Sequence, residues 1–250
     1  MSGGQLTRDA VAPFLTGRFG EPYHWFAETA STQDVLRGSG LPEGAVALAE
    51  RQTAGRGRSG RRWVDHAGKA ILVSLILRPD RPTGLPQASL AMGLAAAEAI
   101  ETVTGLAALV KWPNDVIVGD HKVAGVLLEA DADAVVCGIG INVNQEAREL
   151  PSGTKVSAGS LALAASRSFD RAPLLGALLG QLERRYDDWR ANGLEAIGPA
   201  LESRNWLRGR AVECTRGRGV AGMIGEDGRL EVCLDAGSTV AIDSDEVVPL

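Results

Sequence analysis

Ala107-Ala-Leu-Val-Lys-Trp-Pro-Asn-Asp-Val-Ile-Val-Gly-Asp-His-Lys-Val-Ala-Gly-Val-Leu-Leu-Glu129 packs three apolar runs into quick succession. The runs Ala107–Trp112, Val116–Val118 and Lys122–Glu129 are too short for helices, and Pro-Asn-Asp and Gly-Asp turns part them. Strands joined by such turns lie side by side and antiparallel, because a parallel pair needs a crossover of about a dozen residues or more. One more strand, Ala134–Asn144, follows. The sheet is therefore mixed or antiparallel, and the fold class is α+β.

Upstream, Tyr23–Phe26, Gly44–Glu50 and Ala70–Leu77 read as strands, the last nearly all apolar and closed by Pro79. Ser31-Thr32-Gln33 leads into a short helix, where Ser and Thr have an ordinary capping role. Ser89–Val103 is an Ala-rich helix ended by Gly105. A second helix starts at Asp170-Arg-Ala-Pro173 and carries the stripe Leu175, Leu178, Leu179, Leu182, Tyr186, Trp189 as far as Gly193. After Leu207 the short strands Val212–Thr215, Val220–Ile224, Leu230–Leu234, Thr239–Ile242 and Val247–Val248 suggest a small β unit of SH3-like kind. The expected division is a larger domain over 1–205 and a small one over 206–250.

With 250 residues, 45% of them hydrophobic, the chain can bury a sizeable core. A net charge of −5 argues against a body built to hold nucleic acid. Cys137, Cys214 and Cys233 are odd in number and scattered, and His24, His66 and His121 have no metal-ligand spacing, so neither a disulfide framework nor a zinc site is expected. No apolar run reaches the ~18 residues of a membrane span, and the start lacks a signal-peptide pattern. A cytoplasmic location is the default.

Three segments carry chemistry. Gln52-Thr-Ala-Gly-Arg-Gly-Arg-Ser-Gly-Arg-Arg-Trp63 holds Arg56, Arg58, Arg61 and Arg62, follows Arg51, and has one carboxylate near it, Glu50. Guanidinium forks bind phosphate and carboxylate, and Gly55, Gly57 and Gly60 permit close approach and positive φ. Composition leaves a solvated loop, an RNA-binding segment and a nucleotide clamp all open, and the P-loop pattern is absent. In Lys111-Trp-Pro-Asn-Asp115, Lys111 ends an apolar strand where charge is costly without a partner. Lys111, Asn114, Asp115 and Lys122 can meet at one hairpin corner, suited to phosphate with Mg²⁺ or simply a solvated turn. In Cys137-Gly-Ile-Gly-Ile-Asn-Val-Asn144, alternating Gly138 and Gly140 imply close approach by a ligand or by neighbouring chain. Asn142 and Asn144 share that face.

Together the order Ser-Thr-Gln (31–33), Gln-x-x-Gly-Arg-Gly-Arg-x-Gly-Arg-x-Trp (52–63), Lys-Trp-Pro-Asn-Asp (111–115), Lys-Val-Ala-Gly-Val-Leu-x-Glu (122–129) and Gly-Ile-Gly-x-Asn-Val-Asn (138–144) resembles the biotin–protein ligase family. Gln33 stands where that family more often has Asn. The resemblance implies a catalytic domain like class II aminoacyl-tRNA synthetases and biotin synthetases, with the small terminal β domain. It implies ATP and biotin as substrates with Mg²⁺, and a biotin carboxyl carrier domain of a biotin-dependent carboxylase as partner. A weak homodimer is compatible with it.

By the same resemblance Arg58, Lys122, Lys111 and Asp115 are the catalytic candidates. Ser31, Thr32, Gln33, Gln52, Arg56, Gly57, Arg58, Lys122 and Gly125 would contact biotin. Arg58, Arg61, Trp63, Lys111, Asn114, Asp115 and Asn142 would contact ATP or the adenylate, with the metal near Asp115 and no protein-only metal site. The loop is expected to act as a lid whose glycines supply mobility. Relatives with an N-terminal helix-turn-helix domain need more chain ahead of the Ser-Thr pair than Ser31 leaves, so a monofunctional enzyme without a DNA-binding role is expected. The rival readings are a lipoate–protein ligase and, from another class, a nucleic-acid-binding module.

Overall fold

Among the residues that the computed structural model describes (4–80, 84–243 and 247–250), seven strands form one sheet. They are β1 (Tyr23–Phe26), β2 (Val46–Ala49), β3 (Ala70–Leu77), β4 (Ala108–Lys111), β5 (Asp115–Val118), β6 (His121–Asp131) and β7 (Ala134–Asn142), in the spatial order β1-β2-β3-β7-β6-β5-β4. Only β1 and β2 run parallel; every other neighbouring pair is antiparallel. The sheet is mixed: short turns make β4 to β7 antiparallel, and the longer connection from β1 to β2 permits the one parallel pair.

β3 lies in the interior of the sheet and is buried at every position, which accounts for its nearly unbroken apolar sequence. Strand alternation sends Ile71, Val73, Leu75 and Leu77, with Cys137, Ile139 and Ile141, into the core shared with two long helices. The opposite face presents Leu72, Ser74, Gly138 and Gly140 to a cleft. After the short helices α1 (Arg8–Val11) and α2 (Thr32–Leu36), the long helices are α3 (Leu85–Thr104) and, beyond the short α4 (Leu161–Ala165), α5 (Arg171–Asn192). The first begins a turn ahead of the sequence expectation, since Pro86 is tolerated there, and ends at Gly105 with φ 73°. The second is capped by Asp170, whose side chain accepts the Ala172 N–H, and it buries the whole Leu175–Trp189 stripe. Each large apolar side chain in this core contributes roughly 1.5–3 kcal/mol.

A second sheet of five antiparallel strands, β8 (Ala211–Cys214), β9 (Gly217–Ile224), β10 (Leu230–Leu234), β11 (Thr239–Ile242) and β12 (Val248–Pro249), forms the C-terminal β unit. Val212, Ile224, Leu230 and Val232 belong to the same continuous core as the first sheet. The Trp112 indole donates to Gly228 O at 2.9 Å, tying the β4–β5 turn to the β9–β10 turn. No helix among the described residues is long and apolar enough to cross a membrane.

Candidate active site

The cleft lies between the face of β3, β7 and β6 and the arginine–glycine segment, and the residues expected to act in catalysis or to contact biotin or ATP all line it. Its first wall is the short helix α2 (Thr32–Leu36). Ser31 occupies the N-cap position, yet its hydroxyl makes no capping bond, which overturns the capping role expected for this pair. The Gln52 amide oxygen accepts from both the Thr32 N–H (2.8 Å) and the Thr32 hydroxyl (3.1 Å). Having spent its proton there, Thr32 Oγ1 accepts from Ser74 Oγ at 2.8 Å. Ser74, the one polar residue of β3, is thus explained. Gln33 is 4% exposed; its amide nitrogen donates to Leu127 O, which leaves its buried amide oxygen without a partner.

The arginine–glycine segment is a closed hairpin. Trp63 N–H donates to Gly55 O (3.0 Å) and Gly57 N–H to Arg61 O (2.7 Å), and the tip at Ser59 and Gly60 takes positive φ. Of its three glycines, then, only Gly60 has the left-handed conformation expected for them. Gly55 is needed for packing, since a Cβ there would lie 2.9 Å from Trp63 O. Asp65 accepts the Gln52 N–H at the hairpin base, and burial raises its carboxyl above the usual range, partly offset by that bond.

The arginines divide their work. Arg56 bonds Asp34 (2.5 Å) and Glu129 (2.9 Å), Arg62 donates to Thr53 O, and Arg51 pairs with Glu28. Their side chains are thus engaged by protein groups. Arg58 donates to Asn114 Oδ1 at 3.2 Å, bridging hairpin and corner, and Arg61 to Arg58 O. Glu50, the carboxylate nearest in sequence, turns away to a buried pair with Arg171 at 2.8 Å.

The opposite wall is the β4–β5–β6 corner. Lys111 and Asp115 are cross-strand partners, and Lys122 pairs with Asp115 at 2.6 Å. Lys111 is buried, with its ammonium 3.4 Å from Trp112 O. Asn114 donates to Val126 O, fixing the turn against β6.

Cross-strand partners Gly125 and Gly140 form the floor, and the Trp63 ring lies on them. A Cβ at Gly140 would sit 2.5 Å from that ring, and one at Gly138 2.5 Å from the Gln33 amide. Gly138 and Gly140 are therefore small because cleft side chains cover them. The Trp63 indole N–H is buried without a partner, and the Lys122 ammonium is 5.8 Å from its ring centroid. Asn142 uses both ends of its amide, donating to Gly159 O and accepting from Gln145, and so holds the 157–159 segment beside Lys122. Asn144 does not join the glycine face; β7 ends at Asn142, and Asn144 braces Phe169 through two bonds. Sequence reasoning missed Leu72, Ser74, Leu127, the strap from Pro151 to Ala158, and Val247 and Val248, all of which line the cleft.

Gly140→Ala is expected to cost about 1–3 kcal/mol in urea unfolding, because the added methyl overlaps the Trp63 ring. The cost should vanish in a Trp63→Ala background. Its persistence there would implicate the strand itself.

Fold and cleft together define an α+β ligand-binding domain whose site sets arginine and lysine against a glycine floor. The family model described as the biotin/lipoate A/B protein ligase family matches residues 25–145. The chain is 37% identical over 246 residues to a biotin–[acetyl-CoA-carboxylase] ligase of Mycobacterium tuberculosis, covering 90% of this chain and 87% of that one. It is 38% identical to the bifunctional ligase/repressor BirA of Bacillus subtilis over 71% of this chain, and it spans only 56% of that relative's length. The biotin protein ligase of Aquifex aeolicus, solved with biotin and ATP, superposes with a TM-score of 0.83 at 31% identity, covering 90% of this chain and 98% of that one. The chain belongs to the biotin–protein ligase family.

Proposed function

We propose that this protein activates biotin with ATP and transfers it to a lysine of a biotin carboxyl carrier domain. The observation that carries the reading is the convergence of five separated motifs, 31–33, 52–63, 111–115, 122–129 and 138–144, on one cleft. In the first step a biotin carboxylate oxygen attacks the α-phosphorus of ATP, and the bond to the β-phosphate oxygen breaks to release pyrophosphate. In the second, the acceptor lysine's amine attacks the acyl carbon, AMP leaves, and the amine loses its proton.

Two anions must be held together in the first step, which favours cations fixed in place before the ligands arrive. Lys122 and Arg58 suit the carboxylate and α-phosphate, and Lys111 and Arg61 the remaining phosphates. Ser31, Thr32, Gln33 and Gln52, with the backbone of Arg56-Gly57-Arg58, would surround the ureido ring over Gly125. Gln33's unpartnered amide oxygen is suited to a ring N–H. Trp63, Asn114 and Asp115 would lie on the nucleotide side, with Asn142 holding the adjoining strap. Asp115 is the one carboxylate among the described cleft-lining residues and is already paired with Lys122, which fits Mg²⁺ carried in on the triphosphate. The free thiols of Cys137, Cys214 and Cys233 accord with a reducing, cytoplasmic setting, and residues 206–250 with a small terminal domain.

Pyrophosphate release from Mg·ATP, with biotin or lipoate offered separately, tests the reading. Release with biotin and not lipoate is expected. Release with lipoate alone would replace it by a lipoate ligase.

A further inference from the structure

The ligand-bearing elements are also joined at the rim of the cleft, by an ion cluster whose side chains the chemistry above does not use. Asp34 is carried on α2, beside the Ser31-Thr32-Gln33 motif, and Glu129 on β6, the strand of Lys122 and Gly125. The Arg56 guanidinium joins both to the hairpin, at 2.5 Å to Asp34 and 2.9 Å to Glu129. Glu129 also holds Arg37, just past the end of α2, at 3.0 Å. Burial works against the charge on Arg56, and the bonds from the two carboxylates more than restore it. Four side chains thus tie together three elements, α2, the hairpin and β6.

We propose that Asp34 and Glu129 are positioning residues acting through Arg56, latching the hairpin over the cleft and setting how long the activated intermediate is retained. The inference rests on the adenylate-forming function proposed above. An acyl adenylate hydrolyses once water reaches it, so the rate of hairpin opening governs its loss. The partners are one-quarter to one-half exposed, so each contact is individually weak. Added salt screens such pairs, and retention should fall with ionic strength.

The alternative, in which the Arg56 side chain itself binds the ligand's anion, predicts the opposite sign. There, removing Asp34 or Glu129 would leave the guanidinium less neutralised and the intermediate held more tightly.

The test measures release of preformed biotinyl-AMP, with hydrogen exchange of residues 55–63 in ligand-free protein as a second readout. Glu129→Gln and Asp34→Asn are each expected to speed release by about three- to fivefold, and the double variant by about tenfold. Exchange at Gly57 and Trp63 should rise in parallel. Arg37→Gln loses an ion pair to the same carboxylate without touching the hairpin, and should stay within about twofold of wild type. Reversing the pair, Arg56→Glu with Glu129→Arg, should recover part of the retention lost in either single variant. Unchanged or slower release in Glu129→Gln and Asp34→Asn, or unchanged exchange at 55–63, overturns the latch. Failure of wild-type protein to form any adenylate, with exchange still raised in the variants, overturns the ligase reading and leaves the latch standing.

Discussion

Replacing Lys122 with methionine is expected to slow pyrophosphate release from biotin and ATP by about 10²–10³-fold, the scale of removing one fixed charge-stabilising group from a transition state. Methionine keeps most of the side-chain volume, so the glycine floor and the Trp63 ring over it should stay as they are. What disappears is the cation 2.6 Å from Asp115, at the corner where carboxylate and α-phosphate would meet. Two penalties then coincide. The reacting anions lose a partner, and Asp115 becomes an unpaired negative charge facing them. The loss should fall mainly on kcat, because charge develops on the α-phosphate during the reaction. Asp115→Asn in the Lys122→Met background should return a small part of it by removing the repulsion. A loss below about threefold in Lys122→Met would remove this lysine from the chemistry.

Arg171→Met is expected to cost about 3–5 kcal/mol of stability in urea unfolding, the scale of breaking a buried ion pair. Arg171 is 1% exposed and donates to Glu50, Ala70 O and Gly4 O, while Glu50 also takes the Leu6 N–H and the Trp25 indole. Without the guanidinium, a carboxylate is left charged in the interior and two backbone carbonyls lose their donor. Adding Glu50→Gln should recover about half, since the amide oxygen still accepts from Leu6 and Trp25 while the isolated charge is gone. The pair sits at the end of β2, two residues ahead of Gln52, so its loss should also loosen the Gln52–Thr32 bonds that form the cleft wall. A change below about 1 kcal/mol would mean that water or another cation reaches Glu50.

How much of this could be seen in the sequence depended on whether a residue's neighbours in space were also its neighbours along the chain. The β4–β5–β6 corner was legible, because Lys111, Asn114, Asp115 and Lys122 are brought together by two short turns. The Leu175–Trp189 stripe was legible as well, since helical spacing alone puts it on one face. By contrast, composition around residues 50–63 left a solvated loop, an RNA-binding segment and a nucleotide clamp all open. It could not show that Arg56 would meet Asp34 and Glu129, one of them far along the chain, or that Glu50 would face Arg171. The role of the hairpin's glycines is hidden from the sequence for a related reason. Gly55 is small because Trp63 O lies against it, a contact that depends on the register of the hairpin. Ser74 did leave a trace, as one hydroxyl in an otherwise apolar strand. Val247 and Val248 left none, because nothing local marks the end of the C-terminal sheet as a wall of the cleft.

One cleft is expected both to activate biotin and to deliver it. Incubating the protein with Mg·ATP and an apo biotin carboxyl carrier domain, offering biotin or lipoate in parallel, and weighing the carrier decides whether it does. The carrier should gain a single biotinyl group on one lysine, the gain should require ATP, and lipoate should not be attached. A carrier modified by lipoate alone, or left unmodified by biotin while pyrophosphate is released, would contradict that expectation.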